Sequence, residues 1–228
     1  MAGQAWKRIV TPQDTRFIDL TGPTDFKRSI FNAIIAPRPI GWISTVNGEG
    51  TANLAPFSYF NLMSSSPPIL AFSCNTPEDR QAKDTLANVR ATGEFVYNMA
   101  SLDLIQAVNA SSAPLPHGED EFEHAGLEKA PSINVKPPRV AAAPVNLECK
   151  VLQIVQLGDG GGPGEIPFHV TFGQVVGMHL KERFIDANGR FLTELAQPVA
   201  RLGGMQYAIS APPFELARQF QRANEKSY

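Results

Sequence analysis

Residues 36–60 read APRPIGWISTVNGEGTANLAPFSYF, and this stretch decides the predicted fold. Two short apolar runs, at 40–46 and 52–60, are joined by the sequence NGEG at 47–50. Asn-Gly between two such runs is one of the strongest local signals for a β-hairpin turn. The sequence therefore predicts a β-hairpin near the start of the domain.

The second arm of this hairpin is unusual, because an otherwise apolar run is interrupted at Asn53, Pro56 and Ser58. Proline has no N–H group to donate to a β-ladder, and asparagine is a poor strand former. We expect this arm to leave regular strand pairing and to expose backbone groups. Exposed backbone groups of this kind are suited to binding a small polar ligand.

The composition indicates an ordinary globular protein. The chain has 228 residues, 43% of them hydrophobic and 18% charged, and its net charge of -2 gives no reason to expect nucleic acid or an anionic membrane as a partner. Cys74 and Cys149 each lie inside an apolar run, which favours buried, reduced thiols. No apolar run approaches the roughly 18 residues that a membrane span needs, and the N-terminus lacks the apolar region of a signal peptide. We therefore expect a cytoplasmic protein.

The rest of the chain reads as strands with two short helices inserted. A helix capped by Asp84 or Thr85 is expected to end at Gly93, and a second helix is expected at 104–110. The proline-rich, acidic segment 111–139 is interpreted as a long excursion over the surface. The remaining predicted strands are 68–74, 94–99, 145–157 and 167–180, and an amphipathic segment is expected at 213–224.

Several connections are too short for a parallel crossover, so the strands are predicted to pair antiparallel. A closed barrel is a natural way to cover the edges of at least six such strands. We assign residues 1–24 to an N-terminal arm, 25–207 to the main domain and 208–228 to a helical C-terminal tail.

Three familiar chemistries lack support in the sequence. The glycine-rich segment GDGGGPG at 158–164 is followed by prolines and a strand-like run, where a phosphate-binding loop would open a helix. The acidic residues between His117 and His124 lack the spacing of a metal site, and we interpret them as a solvated loop. Ser58 lacks the GxSxG context of a hydrolase nucleophile.

The remaining candidate is an anion site assembled from two parts of the chain. Ser44, Thr45 and Ser58 supply hydroxyl groups on the hairpin, while the sequence Lys83-Asp84-Thr85 supplies a cation, a hydroxyl and free N–H groups at a helix start. Together these groups suit a phosphate. A purely structural interpretation stays open, because Ser and Thr are common in strands and Asp84 or Thr85 would cap the helix.

The motifs of this chain, in their order and spacing, closely resemble the flavin reductase-like family of FMN-binding split β-barrel proteins, which includes the flavoredoxins. The motifs that carry the resemblance are PRPIGWIST at 37–45, NGEG at 47–50, ANLAPFSYF at 52–60, SPPILAFSC at 66–74, KDTLANV at 83–89, TGEFVYNM at 92–99 and RLGG at 201–204. The resemblance implies a mainly β fold, a six-stranded antiparallel split β-barrel with short peripheral helices. It also implies a homodimer with FMN near the subunit interface.

The resemblance further implies where the cofactor binds. It places Ser44, Thr45, Asn53, Leu54, Ala55 and Pro56 beside the isoalloxazine ring and ribityl chain. It places Ser58, Lys83 and Thr85, with the adjoining Asp84, at the phosphate. Arg201 resembles a late basic position that approaches the flavin from the same or the partner subunit.

The implied activity is an NAD(P)H-dependent flavin reductase, in which hydride passes from NADH or NADPH to flavin N5 and no protein nucleophile or metal is needed. The electrons then pass to free flavin, a flavin-dependent monooxygenase, another electron carrier or a small organic substrate. Two alternatives stay open: a flavoredoxin-type electron-transfer protein without direct nicotinamide turnover, and a non-redox ligand-binding barrel.

Overall fold

Antiparallel strands dominate the computed structural model, which describes residues 15–21, 27–75, 83–116, 118–158, 166–210 and 213–216. The strands in chain order are β1 (Arg38–Pro39), β2 (Gly41–Val46), β3 (Ala52–Phe57), β4 (Phe60–Ser65), β5 (Pro68–Asn75), β6 (Glu94–Met99), β7 (Lys129–Ala130), β8 (Arg139–Val140), β9 (Val145–Leu157), β10 (Phe168–Leu180), β11 (Val199–Arg201) and β12 (Tyr207–Ile209). The helices are α1 (Phe31–Ile34), α2 (Asp84–Thr92), α3 (Ile105–Ala110), α4 (Glu121–His124) and α5 (Thr193–Ala196). Single 3₁₀ turns lie at Arg28–Ile30, Leu102–Leu104 and Glu182–Phe184.

The main sheet has seven strands in the order β3-β2-β6-β9-β10-β5-β4, and every neighbouring pair is antiparallel. β3 also contacts β5, so the sheet curls round on itself. The mainly β, antiparallel barrel with short helices is thus confirmed. The structure adds one strand to the predicted six, because the chain turns after Ser58 and β4 pairs with β5 instead of extending the hairpin.

The predicted hairpin is confirmed as β2 and β3, but the expectation that its second arm leaves regular pairing is wrong. The pairing is continuous from Val46 opposite Ala52 to Gly41 opposite Phe57. β3 lies at the edge of the sheet, and the N–H of Leu54 points outward to a side chain. Pro56 lies two residues further along, so its missing N–H would face the same free edge and no ladder bond is lost.

The helix α2 is present as expected, but its N-cap residue lies before both of the predicted caps. Lys83 occupies the N-cap position, and its side chain makes no capping hydrogen bond. The helix ends at Gly93, which adopts the left-handed conformation (φ 71°) that favours glycine at this position, as predicted. The start of α2 therefore presents a lysine where a hydroxyl or carboxylate cap was expected.

The acidic part of the segment 111–139 is not a fully solvated loop, so that interpretation is corrected. The segment contains α4, β7 and the first residue of β8, and both Glu121 and Phe122 in α4 are buried. Asp120 caps α4 by accepting a hydrogen bond from the Phe122 N–H. The burial of Phe122 against the barrel turns α4 inward and carries Glu121 with it.

The barrel has two apolar cores, one on each face of the hairpin. Trp42 and Leu54 belong to one core, whereas Ile43 and Phe57 belong to the other, together with Leu86 of α2. Side chains alternate between the two faces of a strand, so the hairpin contributes to both cores. A substitution in β2 or β3 therefore affects one core or the other, depending on which face of the sheet the side chain lies on.

Cys74 and Cys149 are buried and unpaired, as predicted. Burial raises the pKa of Cys74 to about 11 despite the opposing charges of Lys83 and Arg90. Burial likewise raises the pKa of Cys149, and the charge of Glu148 adds to the effect. Both thiols are therefore protonated and unreactive at neutral pH. The cytoplasmic location that these cysteines suggested stays a prediction.

The domain boundaries also stay predictions. Most of the N-terminal arm, the glycine-rich segment 159–164 and residues 217–228 of the tail lie outside the described residues. β12 crosses the proposed boundary at 207, and residues 213–216 have no regular secondary structure. Among the helices of the described residues, none is long and apolar enough to span a membrane.

Candidate functional site

The residues predicted to bind the cofactor on the hairpin divide between the two faces of the sheet. Ser44 lies opposite Leu54 in the register of β2 and β3, and Thr45 lies opposite Asn53. Because side chains alternate along a strand, Ser44 and Leu54 share one face and Thr45 and Asn53 share the other. The four residues are all buried. Thr45 and Asn53 belong to one polar network, and Ser44 belongs to another.

The first network joins the hairpin to α2. The amide of Asn88 donates to the Thr45 hydroxyl at 3.0 Å, and the amide of Asn53 donates to the Thr85 hydroxyl at 3.0 Å. All four side chains are at most 6% exposed. The hydrogen bonds offset the cost of burying these polar groups and set the position of the helix start relative to β3.

The start of α2 brings the predicted phosphate ligands into one neighbourhood. The Lys83 Nζ lies 5.9 Å from the centre of the Phe57 ring, and half-buried Ser58 directly follows Phe57. The first backbone bond of the helix runs from the Ala87 N–H to the Lys83 carbonyl, so the preceding N–H groups have no acceptor within the helix. The structure thus places Lys83, Thr85 and the residue before Ser58 close together.

Asp84 has a different position from the other predicted phosphate ligands. It lies with Asn53 and Asn88 around a cavity of ≈ 10 Å³, which is about the space that one water molecule needs. A carboxylate in the first turn of a helix interacts favourably with the helix dipole. This position suits helix stability, and the assignment of Asp84 to the phosphate site stays a prediction.

The second network lies on the opposite face and begins at Ser44. The Ser44 hydroxyl donates to the Pro138 carbonyl at 2.6 Å and accepts from the Asn98 amide at 3.2 Å. The Oδ1 atom of Asn98 in turn accepts from the Asn146 amide at 2.8 Å, and Oδ1 of Asn146 accepts from Arg139 at 3.1 Å. The network holds the segment before β8 against the hairpin. Ser44 therefore has a structural role on the face opposite Thr45.

The free edge of β3 is covered by Glu121. One carboxylate oxygen accepts the Leu54 N–H at 2.9 Å, which gives this backbone group of the edge strand a partner. Burial raises the pKa of Glu121, the Leu54 hydrogen bond opposes this, and the nearby charges of Asp84 and Asp120 raise it further. The backbone group expected to be available to a ligand is thus occupied in this chain.

Replacing Glu121 with Gln is expected to raise the midpoint of thermal unfolding by a few degrees at neutral and mildly alkaline pH. Glutamine keeps an acceptor for the Leu54 N–H and removes the charge. Because the folded pKa is raised, ionisation of Glu121 costs stability as the pH rises above its ordinary value of 4.5, and the advantage of Gln disappears below that value. The check is to measure the midpoint of thermal unfolding of both proteins from below pH 4.5 to mildly alkaline pH. Glu119→Gln at the exposed neighbour is the control, and an equal gain there would contradict the prediction.

The other predicted residues are more accessible. Ala55 and Pro56 are half-buried near the end of β3. Arg201 in β11 donates through Nε to the Gly204 carbonyl at 3.1 Å, and its guanidinium lies 4.6 Å from the Tyr207 ring. These contacts hold Arg201 in the sheet of β1, β11 and β12, where it lies opposite Arg38. Its proposed approach to a flavin stays a prediction.

A cleft of ≈ 350 Å³ lies beside Ser58, mainly between apolar and aromatic side chains. Tyr59, Phe60 and Phe172 are among the residues that line it. Arg38 also lines the cleft and is only 7% exposed, with its Nη atoms donating to backbone carbonyls. A flat, mostly apolar molecule of moderate size fits such a cleft.

Sequence reasoning missed several residues of this site. Asn88, Asn98 and Asn146 form the polar networks, and Glu121 covers the edge of β3. Asparagine is depleted in strands, so Asn98 and Asn146 in β6 and β9 carried a usable signal. Glu121 carried none, because a single glutamate in an acidic segment looks solvated until the packing of Phe122 is known.

The fold and the site together define the class of protein. It is an antiparallel β-barrel whose first hairpin makes a polar contact with the start of the main helix. Residues 35–193 match the model of the flavin reductase like domain. An uncharacterized protein of Aquifex aeolicus is 37% identical over 174 residues, which covers 76% of this chain and 85% of the relative. This chain therefore belongs to the flavin reductase-like family, as its motifs indicated.

Solved structures share the fold over most of the chain. Nitrilotriacetate monooxygenase component B from Bacillus cereus is 30% identical with a TM-score of 0.79, covering 89% of this chain and 100% of that one. The 2-nitrobenzoate 2-nitroreductase NbaA of Pseudomonas fluorescens is 28% identical with a TM-score of 0.77, covering 92% and 100%. A Shewanella frigidimarina protein assigned as a flavin reductase with a split barrel domain has a TM-score of 0.72 at 19% identity, covering 83% and 90%. The fold is therefore a split β-barrel.

Proposed function

We propose that this protein binds FMN and works as an NAD(P)H-dependent flavin reductase. The observation that carries the proposal is the contact of the hairpin with the start of α2, through the Asn53 and Thr85 side chains, in a chain of the flavin reductase-like family. Two of the similar solved structures, at 30% and 28% identity, are a monooxygenase component and a nitroreductase, which supports a redox function.

The residues present fit the two parts of FMN. The phosphate needs a cation and hydrogen-bond donors, and Lys83 with the N–H groups at the start of α2 supplies both. The ring system needs a flat, largely apolar surface, and the cleft beside Ser58 is within the size range of small-molecule sites. Bound FMN would supply the hydride chemistry at its N5 atom.

The chain itself would bind and orient the reactants. Lys83, Thr85 and Ser58 would hold the phosphate, while Asn53 and the half-buried end of β3 would face the polar edge of the ring. The buried Asn53–Thr85 hydrogen bond would keep these two groups in register, because neither side chain can move without leaving a buried polar atom unpaired. Alignment is the main contribution that a protein makes to a reaction centred on its cofactor.

We also propose a homodimer that covers the apolar surface around α1 and β4. Phe31, Ile34, Ile35, Leu62 and Met63 are all exposed there, next to the cleft beside Ser58. Exposed apolar patches of this kind mark interaction surfaces. A monomeric mass in solution, measured by light scattering, would contradict the dimer.

Two acceptors for the electrons are compatible with the similar proteins. A monooxygenase component would pass electrons to a partner enzyme, and a nitroreductase would pass them to an organic substrate. A flavoredoxin-type electron carrier is the alternative without nicotinamide turnover. The similarity to the nitroreductase supports a second candidate function, in which the electrons pass to a small organic substrate.

The proposed function predicts a yellow protein whose flavin absorbance is bleached by NADH or NADPH under anaerobic conditions. Oxidation of NADH and of NADPH is measured with and without added FMN, which distinguishes a bound cofactor from an exchanging substrate. No oxidation under any of these conditions would exclude the reductase and leave the electron carrier. A protein that retains no FMN after incubation and desalting, and that does not oxidise either nucleotide, would contradict both.

A further inference from the structure

A second and larger cleft, of ≈ 500 Å³, lies where β8, the turn after it and the end of β10 meet. Its basic and polar side chains include Arg139, His179 and Lys181. Apolar residues, among them Met178 and Ile185, line other parts of it. None of the hairpin or α2 residues assigned to the cofactor lines this cleft.

Arg139 is held rigidly at the cleft. Its Nε donates to the Pro131 carbonyl at 2.9 Å, and its Nη1 donates to the Asn146 side chain at 3.1 Å. These bonds fix the plane of the guanidinium, so little side-chain entropy remains to be lost on binding. Nη2 makes no hydrogen bond to the described residues and stays available to a ligand.

Lys181 is the second fixed cation. Its Nζ donates to the Ala142 carbonyl at 2.7 Å, and its backbone N–H donates to the Pro144 carbonyl at 3.1 Å. Burial lowers the pKa of Lys181, and the charge of Arg183 lowers it further. Within the described part of the chain, neither Lys181 nor Arg139 forms an ion pair with a carboxylate. Among the described residues, Glu182 is the one carboxylate on the cleft wall, so the two cations give the lining a net positive charge.

His179 is oriented by a buried carboxylate that lies outside the cleft lining. Its Nε2 lies 2.5 Å from Glu148, which is fully buried and also accepts the N–H groups of Ile133 at 2.8 Å and Asn134 at 2.6 Å. The carboxylate of Glu148 is thus occupied beneath the cleft. It does not line the cleft beside Arg139 and Lys181.

We propose that this cleft binds a small organic anion, with a carboxylate or phosphate head group and an apolar body. Arg139 and Lys181 would hold the head group by charge-assisted hydrogen bonds. Met178 and Ile185 would contact the apolar body, and the volume lies in the range of small-molecule sites. The site does not depend on flavin binding. It is joined to the hairpin through the Arg139–Asn146–Asn98–Ser44 network.

The test is titration calorimetry of the full chain with benzoate, phenyl phosphate and neutral benzyl alcohol at constant ionic strength. Saturable binding of either anion, without binding of benzyl alcohol, is expected, and comparison of the two anions identifies the preferred head group. The proposal is overturned if neither anion binds saturably or if benzyl alcohol binds as tightly as the anions.

Variants test whether the binding takes place in this cleft. Arg139→Gln and Lys181→Met are each expected to weaken anion binding about tenfold, the effect of losing one charge-assisted hydrogen bond. Arg190→Gln and Lys150→Met remove the same charges from exposed residues outside the cleft and should leave binding unchanged. Lys181→Met keeps the test valid if loss of the Arg139 bonds impairs folding. Equal losses in the cleft variants and the controls would assign the binding to general electrostatics and overturn the proposal.

Discussion

Replacing both Lys83 and Thr85 with alanine is expected to weaken FMN binding about 100-fold, which corresponds to roughly 2.8 kcal/mol. In the proposed site the lysine would contribute a charge-assisted bond to the phosphate, and the threonine would contribute a hydroxyl at the start of α2. The measurement is fluorescence titration of the apoprotein with FMN. Binding of riboflavin, which lacks the phosphate, should be affected far less by the same two substitutions.

Thr85 is buried and accepts a hydrogen bond from Asn53, so its loss also leaves a buried amide without a partner. Lys83→Ala alone separates the two effects, because Lys83 makes no capping hydrogen bond to the helix. Lys150→Ala combined with Thr193→Ala is the matched control, since both residues are exposed and lie on other elements. FMN affinity equal to wild type in a folded Lys83→Ala, Thr85→Ala protein would show that the phosphate binds elsewhere.

Replacing Gly173 with alanine is expected to lower the free energy of unfolding by about 3 kcal/mol. A Cβ atom at this position in β10 would lie only 2.5 Å from Cζ of Phe95 and 3.3 Å from Cβ of Cys149. The Phe95 ring is fully buried and packs edge-on against Phe72 at 5.2 Å between centroids, so it has little room to move. Denaturant unfolding measures the loss.

A smaller residue at position 95 should relieve the clash. In the background of Phe95→Leu, the substitution Gly173→Ala is expected to cost less than in the wild-type chain, a difference that a double-mutant cycle measures. Gly48→Ala is the control, because a Cβ there meets no atom within 4 Å. Strictly additive losses for the two core substitutions would mean that Phe95 and position 173 do not interact.

Features set by neighbouring residues were predictable from the sequence. The turn after Val46, the end of α2 at Gly93 and the long strands β9 and β10 follow from turn residues and side-chain periodicity. The contact between the hairpin and the KDT sequence was also anticipated, because the motifs resembled a known family. The Asn53–Thr85 hydrogen bond is the physical form of that contact.

Features that depend on packing between distant segments were not predictable. Glu148 looks like a solvent-facing residue of a strand, yet the segment 131–138 covers it completely. Pro56 suggested irregular pairing, but β3 lies at a sheet edge where its missing N–H has no cost. In both cases the residue type is known from the sequence, but its burial or its effect on strand pairing depends on the neighbouring segment.

The hairpin at 41–57 shows the same division most clearly. By itself the sequence determined that a turn at 47–50 joins the two strands, because turn residues act through the local backbone; Gly50 adopts the left-handed conformation (φ 89°) and pairing resumes at Ala52. Only the tertiary structure decided that Thr45 faces α2 while Ser44 faces the segment before β8. Strand alternation sends adjacent side chains to opposite faces, and what covers each face is set by residues far away in the chain.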